Sequence, residues 1–457
     1  MTRHAAGVAV LAMGLIGWAW ASPVAAQGPW SGLRPCDGTP HTELVPDRPT
    51  GSWVPTTGPC GGCGGVDRCA CPDPQAAFCA LPERFWVRAD YLMWWLSGVQ
   101  LPPLVTGSPP NTPQSQAGVL GEPGTTILFG DSPAGDLMRS GVRVRLGAAL
   151  GGCRGWALEG DYFTVGQQSA GYDSGPRADT PIISRPFFDL LPRDGAGQPI
   201  PGAAPRYAAE LVSYPGILIG KVIVEYRDTF QSAGIWGRHP LCCWEADPCA
   251  DPCGRREQRV DLIVGYRWYS LTDSITIHED LISGPQGALP GTAFLITDSF
   301  RARNEFHGAE LGFVATTHRG RWSLEVLAKV ALGNQHQTVV IDGSTSITPP
   351  GQSTELFGEG IYAGRTNVGT YERDRFVMIP QLGVEIGYQW TERLRTFLGY
   401  SILYWPEVMR SPDQIDQNLD TGNFPPTVDP SLPYPTFPAI SSGLWAQGIN
   451  LGAELRF

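Results

Sequence analysis

Four groups of residues carry types and spacings that do chemistry elsewhere. His336 stands between Gln335 and Gln337, and an imidazole is the side chain that exchanges protons near neutral pH. Cys60-x-x-Cys63 followed by Cys69-x-Cys71 has a zinc-ribbon flavour. Cys242, Cys243, Cys249 and Cys253 crowd a second stretch, interleaved with Asp and Pro. Asp413-Gln414-Ile415-Asp416 offers two carboxylates to a divalent ion.

Each has a plainer reading. The chain holds no Gly-x-Ser-x-Gly, no His-Glu-x-x-His and no phosphate loop. No partner group stands at a recognisable spacing from His336, so a structural hydrogen bond is expected there. No catalytic residue, metal or cofactor is expected. The Cys69-x-Cys71 spacing is tight for a zinc knuckle, and export favours disulfides over metal. Two disulfides among Cys242, Cys243, Cys249 and Cys253 are the preferred reading. Asp413 to Asp416 reads as a turn-forming segment of an outer loop.

Export itself is legible. Arg3 and His4 precede an apolar run from Gly7 to Trp20, and Val24-Ala25-Ala26 sets small residues before Gln27. Residues 1–26 are therefore expected to be a signal peptide. That run falls short of the ~20 residues a spanning helix needs, and no comparable run follows. Residues 27–82 are rich in Pro, Gly and Cys and lack periodicity, so a disordered lead-in is expected. Residues 83–457 remain for one large fold.

The elements that position the polar residues follow a period of two. Trp322, Leu324, Val326, Ala328, Val330 and Leu332 share one face; Ser323, Glu325, Leu327, Lys329, Ala331 and Gly333 share the other. Successive side chains of a strand point to opposite sides. The stretch matches the roughly 9–11 residues of a tilted spanning strand. The rhythm returns at Phe85 to Leu96, where the Trp94-Trp95 pair suits an interfacial girdle. It returns again at Met138 to Leu150, Trp156 to Val165, Thr229 to Arg238, Val260 to Trp268, Phe300 to Thr316, Phe376 to Trp390, Thr396 to Trp405 and Trp445 to Phe457. Only 17% of residues are charged, against about 25% in soluble domains. Aromatics make up 10%, and a net charge of −11 argues against nucleic acid.

Long and short connections take turns. Tight turns are expected near Gly152, Cys249, Arg319 and Glu392, with long loops between, Leu271 to Ser299 among them. That sorting is the mark of an all-β, closed antiparallel up-and-down transmembrane β-barrel. About ten strands fit, or twelve if hairpins suspected in the long loops, such as Tyr207 to Tyr226, join the wall. Arg139, Arg143, Arg145, Glu159, Asp161, Arg267, Glu325, Lys329 and Glu385 then face the lumen. Glu159 and Asp161 are expected to pair with the arginines one strand earlier, across a hairpin. These charges either pack internally or line a pore.

The segments from Phe85 to Trp95, Phe306 to Gly312, Lys329 to Gln337, Arg373 to Phe376, Gly399 to Trp405, Asp413 to Asp416 and Trp445 to Gly452 together resemble the beta-barrel porins of family seven, bacterial outer-membrane β-barrel proteins. The resemblance runs from about Phe85 to Phe457 and leaves out the Cys-rich lead-in. It implies a bacterial outer-membrane barrel that passes small solutes or serves the envelope structurally, with outer-membrane lipid as its surroundings. It brings no catalytic residues. Phe457, the terminal aromatic, resembles the signal read by barrel-insertion machinery. The alternative is a secreted, soluble β-rich binding protein stapled by disulfides.

Overall fold

The computed structural model describes residues 85–150, 155–194, 197–245, 256–426 and 432–457. The expected signal peptide, the lead-in, Cys249, Cys253 and the turns near Gly152 and Cys249 lie outside these residues.

Ten strands make the wall. They are β1 (Phe85–Leu96), β2 (Arg139–Ala149), β3 (Ala157–Asp173), β4 (Leu218–Glu245), β5 (Arg256–Ser283), β6 (Ala293–Arg319), β7 (Trp322–Thr348), β8 (Gly369–Gln389), β9 (Leu394–Val408) and β10 (Ser442–Arg456). Each pairs antiparallel with its neighbours in sequence, and β10 returns to β1. Phe457 closes the ring at its lower rim: its N–H donates to the Phe85 carbonyl (2.8 Å), and Phe85 N–H donates back (3.3 Å). Below Pro380 every described wall strand is paired on both sides, which is what lipid demands of backbone amides.

Among the described residues, two of the expected tight turns are present. Gly320, at φ +59, lets β6 turn into β7 through two residues. Trp390 N–H donates to Leu394 O across the β8–β9 turn, and Thr391 Oγ1 accepts from Leu394 N–H. The long loops lie at the other end. Their strands, among them Val105–Ser108, Ile182–Asp189 and Arg206–Ser213, form a separate sheet. The hairpin suspected at Tyr207 to Tyr226 thus splits between that sheet and β4, and the wall stays at ten.

Several strands are much longer than expected. β4 and β5 have 28 residues and β6 and β7 have 27, far beyond a spanning length. Leu271 to Ser299, expected as a loop, is mostly strand, and Thr229 to Arg238 is the middle of β4. Cys242 and Cys243 belong to β4, opposite Val260 and Arg259 of β5, rather than to a turn.

A change of polarity explains the extra length. On β7 the outward row runs Trp322 to Leu332, all apolar, then becomes Asn334, His336 and Thr338, while the inward row passes from Ser323 and Glu325 to the buried Val339 and Ile341. On β5 the outward row runs Val260 to Trp268, then Thr272, Ser274, Thr276 and His278, and the buried Leu271, Ile275 and Ile277 face inward. The lower half is greasy outside and polar inside, as in lipid. The upper half is greasy inside and polar outside, as in water. Trp95 faces outward near this boundary, but Trp94 is fully buried in the lumen, so only one of the pair belongs to a girdle.

Candidate functional site: the barrel lumen

The lumen has three filled levels. The lowest is a lattice of ion pairs. Arg143 and Arg88 both grip Asp90 (2.5 and 2.8 Å), and Arg88 also reaches Glu385 (2.6 Å), which holds Arg395 (3.3 Å). Arg267 bridges Asp161 (2.6 Å) and Glu310 (2.7 Å), and Glu310 takes Lys329 as well (3.1 Å). Arg238 joins Asp261 (2.6 Å) and Glu159 (3.5 Å). Glu325 points into the same space, where Arg238, Arg88, Arg145 and Arg395 act on it electrostatically. Arg145 makes no ion pair among the described residues; its guanidinium lies 5.4 Å from the Trp236 ring centre, with Arg267 and Lys329 at 5.2 and 5.4 Å.

Eight of the nine lumen-facing residues expected from sequence thus meet at one level. Arg139 does not; it sits higher. The partners differ from expectation. Arg145 and Asp161 are opposite in register on β2 and β3, yet Asp161 goes to Arg267 of β5 and Glu159 to Arg238 of β4. Gly234 of β4 is the reason: a Cβ there would lie 2.5 Å from the Arg267 guanidinium carbon. The bare backbone lets Arg267 cross to β3. Arg88, Asp90, Arg238, Asp261, Glu310 and Arg395 were not among the nine. Arg88 and Asp90 shared an alternating polar face and carried that signal already.

Above the ion pairs lies an aromatic layer. Trp94 of β1 packs on Phe163 of β3 (5.3 Å between ring centres), Phe163 on Phe230 of β4 (5.4 Å), and Phe230 on Tyr269 of β5 (6.2 Å). Tyr269 meets Phe306 of β6 (5.9 Å) and Trp405 of β9 (5.8 Å). Phe230 and Trp405 also touch directly at 6.2 Å. β4 and β9 are five places apart in a ring of ten, so this contact spans the diameter. Polar handles are satisfied, as burial requires. Trp94 Nε1 donates to Asn450 (2.8 Å) and Trp405 Nε1 to Gln335 (2.7 Å).

The third level is chain folded inward after β9. Glu407 takes φ +56, and its carbonyl accepts from Gln335 and Gln337. Asn304 clamps Met409 through both backbone groups, each at 2.8 Å. Arg410 binds Asp273 and the Tyr226 hydroxyl (2.6 Å) beside Asp228, which also holds Arg139. The Asp413–Asp416 segment completes this plug. Pro412–Gln414 is a 3₁₀ turn, and Asp416 accepts from Thr436 N–H and Oγ1 (both 2.8 Å). No set of His, Cys, Asp or Glu among the described residues is arranged to hold a metal. Higher still, Arg185 lies buried between Glu279 (2.5 Å) and Asp298 (2.6 Å). Burial and the charge of Glu279 hold the nearby Glu210 carboxyl well above its usual range.

His336 lies outside the barrel. Its Nδ1 is 3.2 Å from Asp374, which also accepts from Asn334 (2.8 Å). Among the described residues no serine, threonine or cysteine hydroxyl or thiol joins this pair by a hydrogen bond. His307 likewise faces outward, 2.5 Å from the Tyr266 hydroxyl, at the top of the apolar band.

The sequence model of the family described as Putative beta barrel porin-7 matches residues 86–457. No curated protein matches. Among solved structures, the outer membrane protease OmpT from Escherichia coli is similar at 10% identity and TM-score 0.34, over 82% of this chain and 98% of that one. The toluene transporter TodX of P. putida aligns at 11% identity and TM-score 0.21, covering 84% and 94%. A Pseudomonas aeruginosa FadL homologue aligns at 9% and 0.21, covering 84% and 92%. At such scores these likenesses carry nothing about activity.

Proposed function

From the premise that this chain belongs to the porin-7 family, and is an outer-membrane β-barrel protein, we propose that its lumen is closed at rest and that it serves the envelope structurally. It does so without catalysing a reaction. Of the two roles open to such a barrel, solute passage and envelope structure, the packing supports the second. The observation that carries this reading is the Phe230–Trp405 contact across the diameter. A ten-strand barrel is only slightly wider than one that side chains fill. The ion-pair lattice below and the Arg410 plug above add two further closures. The polar rows inside are internal packing, most charges being held by neighbours where water would otherwise be needed. The soluble, disulfide-stapled alternative finds no support.

Liposome swelling tests this. Vesicles carrying the refolded protein should swell in small sugars no faster than empty ones. Swelling that scales inversely with sugar size would overturn the reading in favour of an open pore.

A further inference from the structure

The wall has a seam. β8 pairs with β9 only from Gln381–Leu403 downward. Above that, β8 runs on from Pro380 to Gly369 bonded to β7 alone, and β9 from Tyr404 to Val408 bonded to β10 alone. Pro380, which has no N–H to offer, sits where the two part. β9 leaves because Pro406 and Glu407 swing its chain into the lumen. The seam therefore opens at the upper edge of the apolar band.

Its lining is amphiphilic. Phe376 and Met378 face outward and are 74% and 56% exposed. One step higher, Arg373 and Arg375 occupy inward positions. On the closed side of the wall such positions are sealed: Gln335, which pairs in register with Arg375, is wholly buried. Arg375 itself is exposed. Neither arginine makes an ion pair among the described residues. Arg373 donates only to Gln337 (2.8 Å), and one of its terminal nitrogens has no partner. The Arg375 charge opposes that of Arg373 and the Glu407 charge favours it, while Asp374 turns outward to Asn334 and His336.

We propose that this seam binds the phosphate headgroup of an anionic outer-leaflet lipid. Arg373 and Arg375 take the phosphate, and Phe376 and Met378 flank the acyl chain. Guanidiniums are the side chains suited to phosphate oxygens, and their height just above the last apolar residues is where headgroups lie. This rests on outer-membrane residence but not on a closed lumen.

Native mass spectrometry of the full chain in neutral detergent tests it, with short-chain phosphatidylglycerol against phosphatidylcholine as probes. The wild type should retain phosphatidylglycerol preferentially. R373Q/R375Q should retain it about tenfold less, the scale of one lost charge-assisted hydrogen bond. R375Q alone, at an exposed position, should fall in between. R301Q, at an outward arginine elsewhere on the surface, should behave as the wild type. Equal retention by R375Q and the wild type would overturn the proposal. So would displacement of the lipid by equimolar inorganic phosphate, which would make the site one for a soluble anion. Heat-modifiable gel migration, checked for every variant, separates loss of lipid from loss of the barrel.

Discussion

At the residue scale, the lumen places charges where neither water nor a single partner could hold them cheaply. Arg267 is the clearest case, almost wholly buried and shared by Asp161 and Glu310. Removing one member of a buried set leaves its partners uncompensated, at about 3–5 kcal/mol. Arg267→Met should therefore destabilise the barrel by about that amount, read as a fall in the urea midpoint for unfolding from lipid vesicles. The exposed pair Arg303–Glu305 on the outer surface is the contrast. Arg303→Met should cost under about 1 kcal/mol. An equal effect at both sites would mean that the lumen is hydrated and its pairs are screened.

At the element scale, each long strand reverses its polarity once. Val326 lies in the middle of the outward apolar row of β7, and Thr338 lies on the same face above the reversal. Val326→Arg should cost about 2–4 kcal/mol of folding free energy in lipid, and Thr338→Arg about 0–1 kcal/mol. Vesicle refolding titrations measure both, and similar penalties would place the membrane boundary elsewhere. The same reversal decides what the sequence could reveal. Trp322 to Leu332 and Val260 to Trp268 were legible because apolar-outward alternation lasts a whole spanning length. Leu271 to Ser299 read as a loop because alternation continues with its phase flipped and with Thr and Ser facing water. Ion-pair partners were less legible still. Side chains inside a closed ring reach non-adjacent strands, as Arg267 does over Gly234, and sequence spacing holds no trace of that. Nor does it hold the inward fold of Glu407 to Asp416, which depends on Asn304, Gln335 and Gln337 from two distant strands.

At the scale of the whole molecule, a spanning half and a water-exposed half share one wall, and the lumen is filled through both. The apolar outer band and the ring closed by β1 and β10 fit it to an outer membrane. Within that wall the Phe230–Trp405 contact of the aromatic layer spans the diameter, the observation on which the proposed closed lumen rests. Single-channel recording in planar bilayers tests this most directly, on refolded wild type whose barrel is verified by heat-modifiable migration. A closed lumen predicts a flat current trace across moderate voltages, whatever the salt. Regular ohmic steps from the wild-type protein would contradict it.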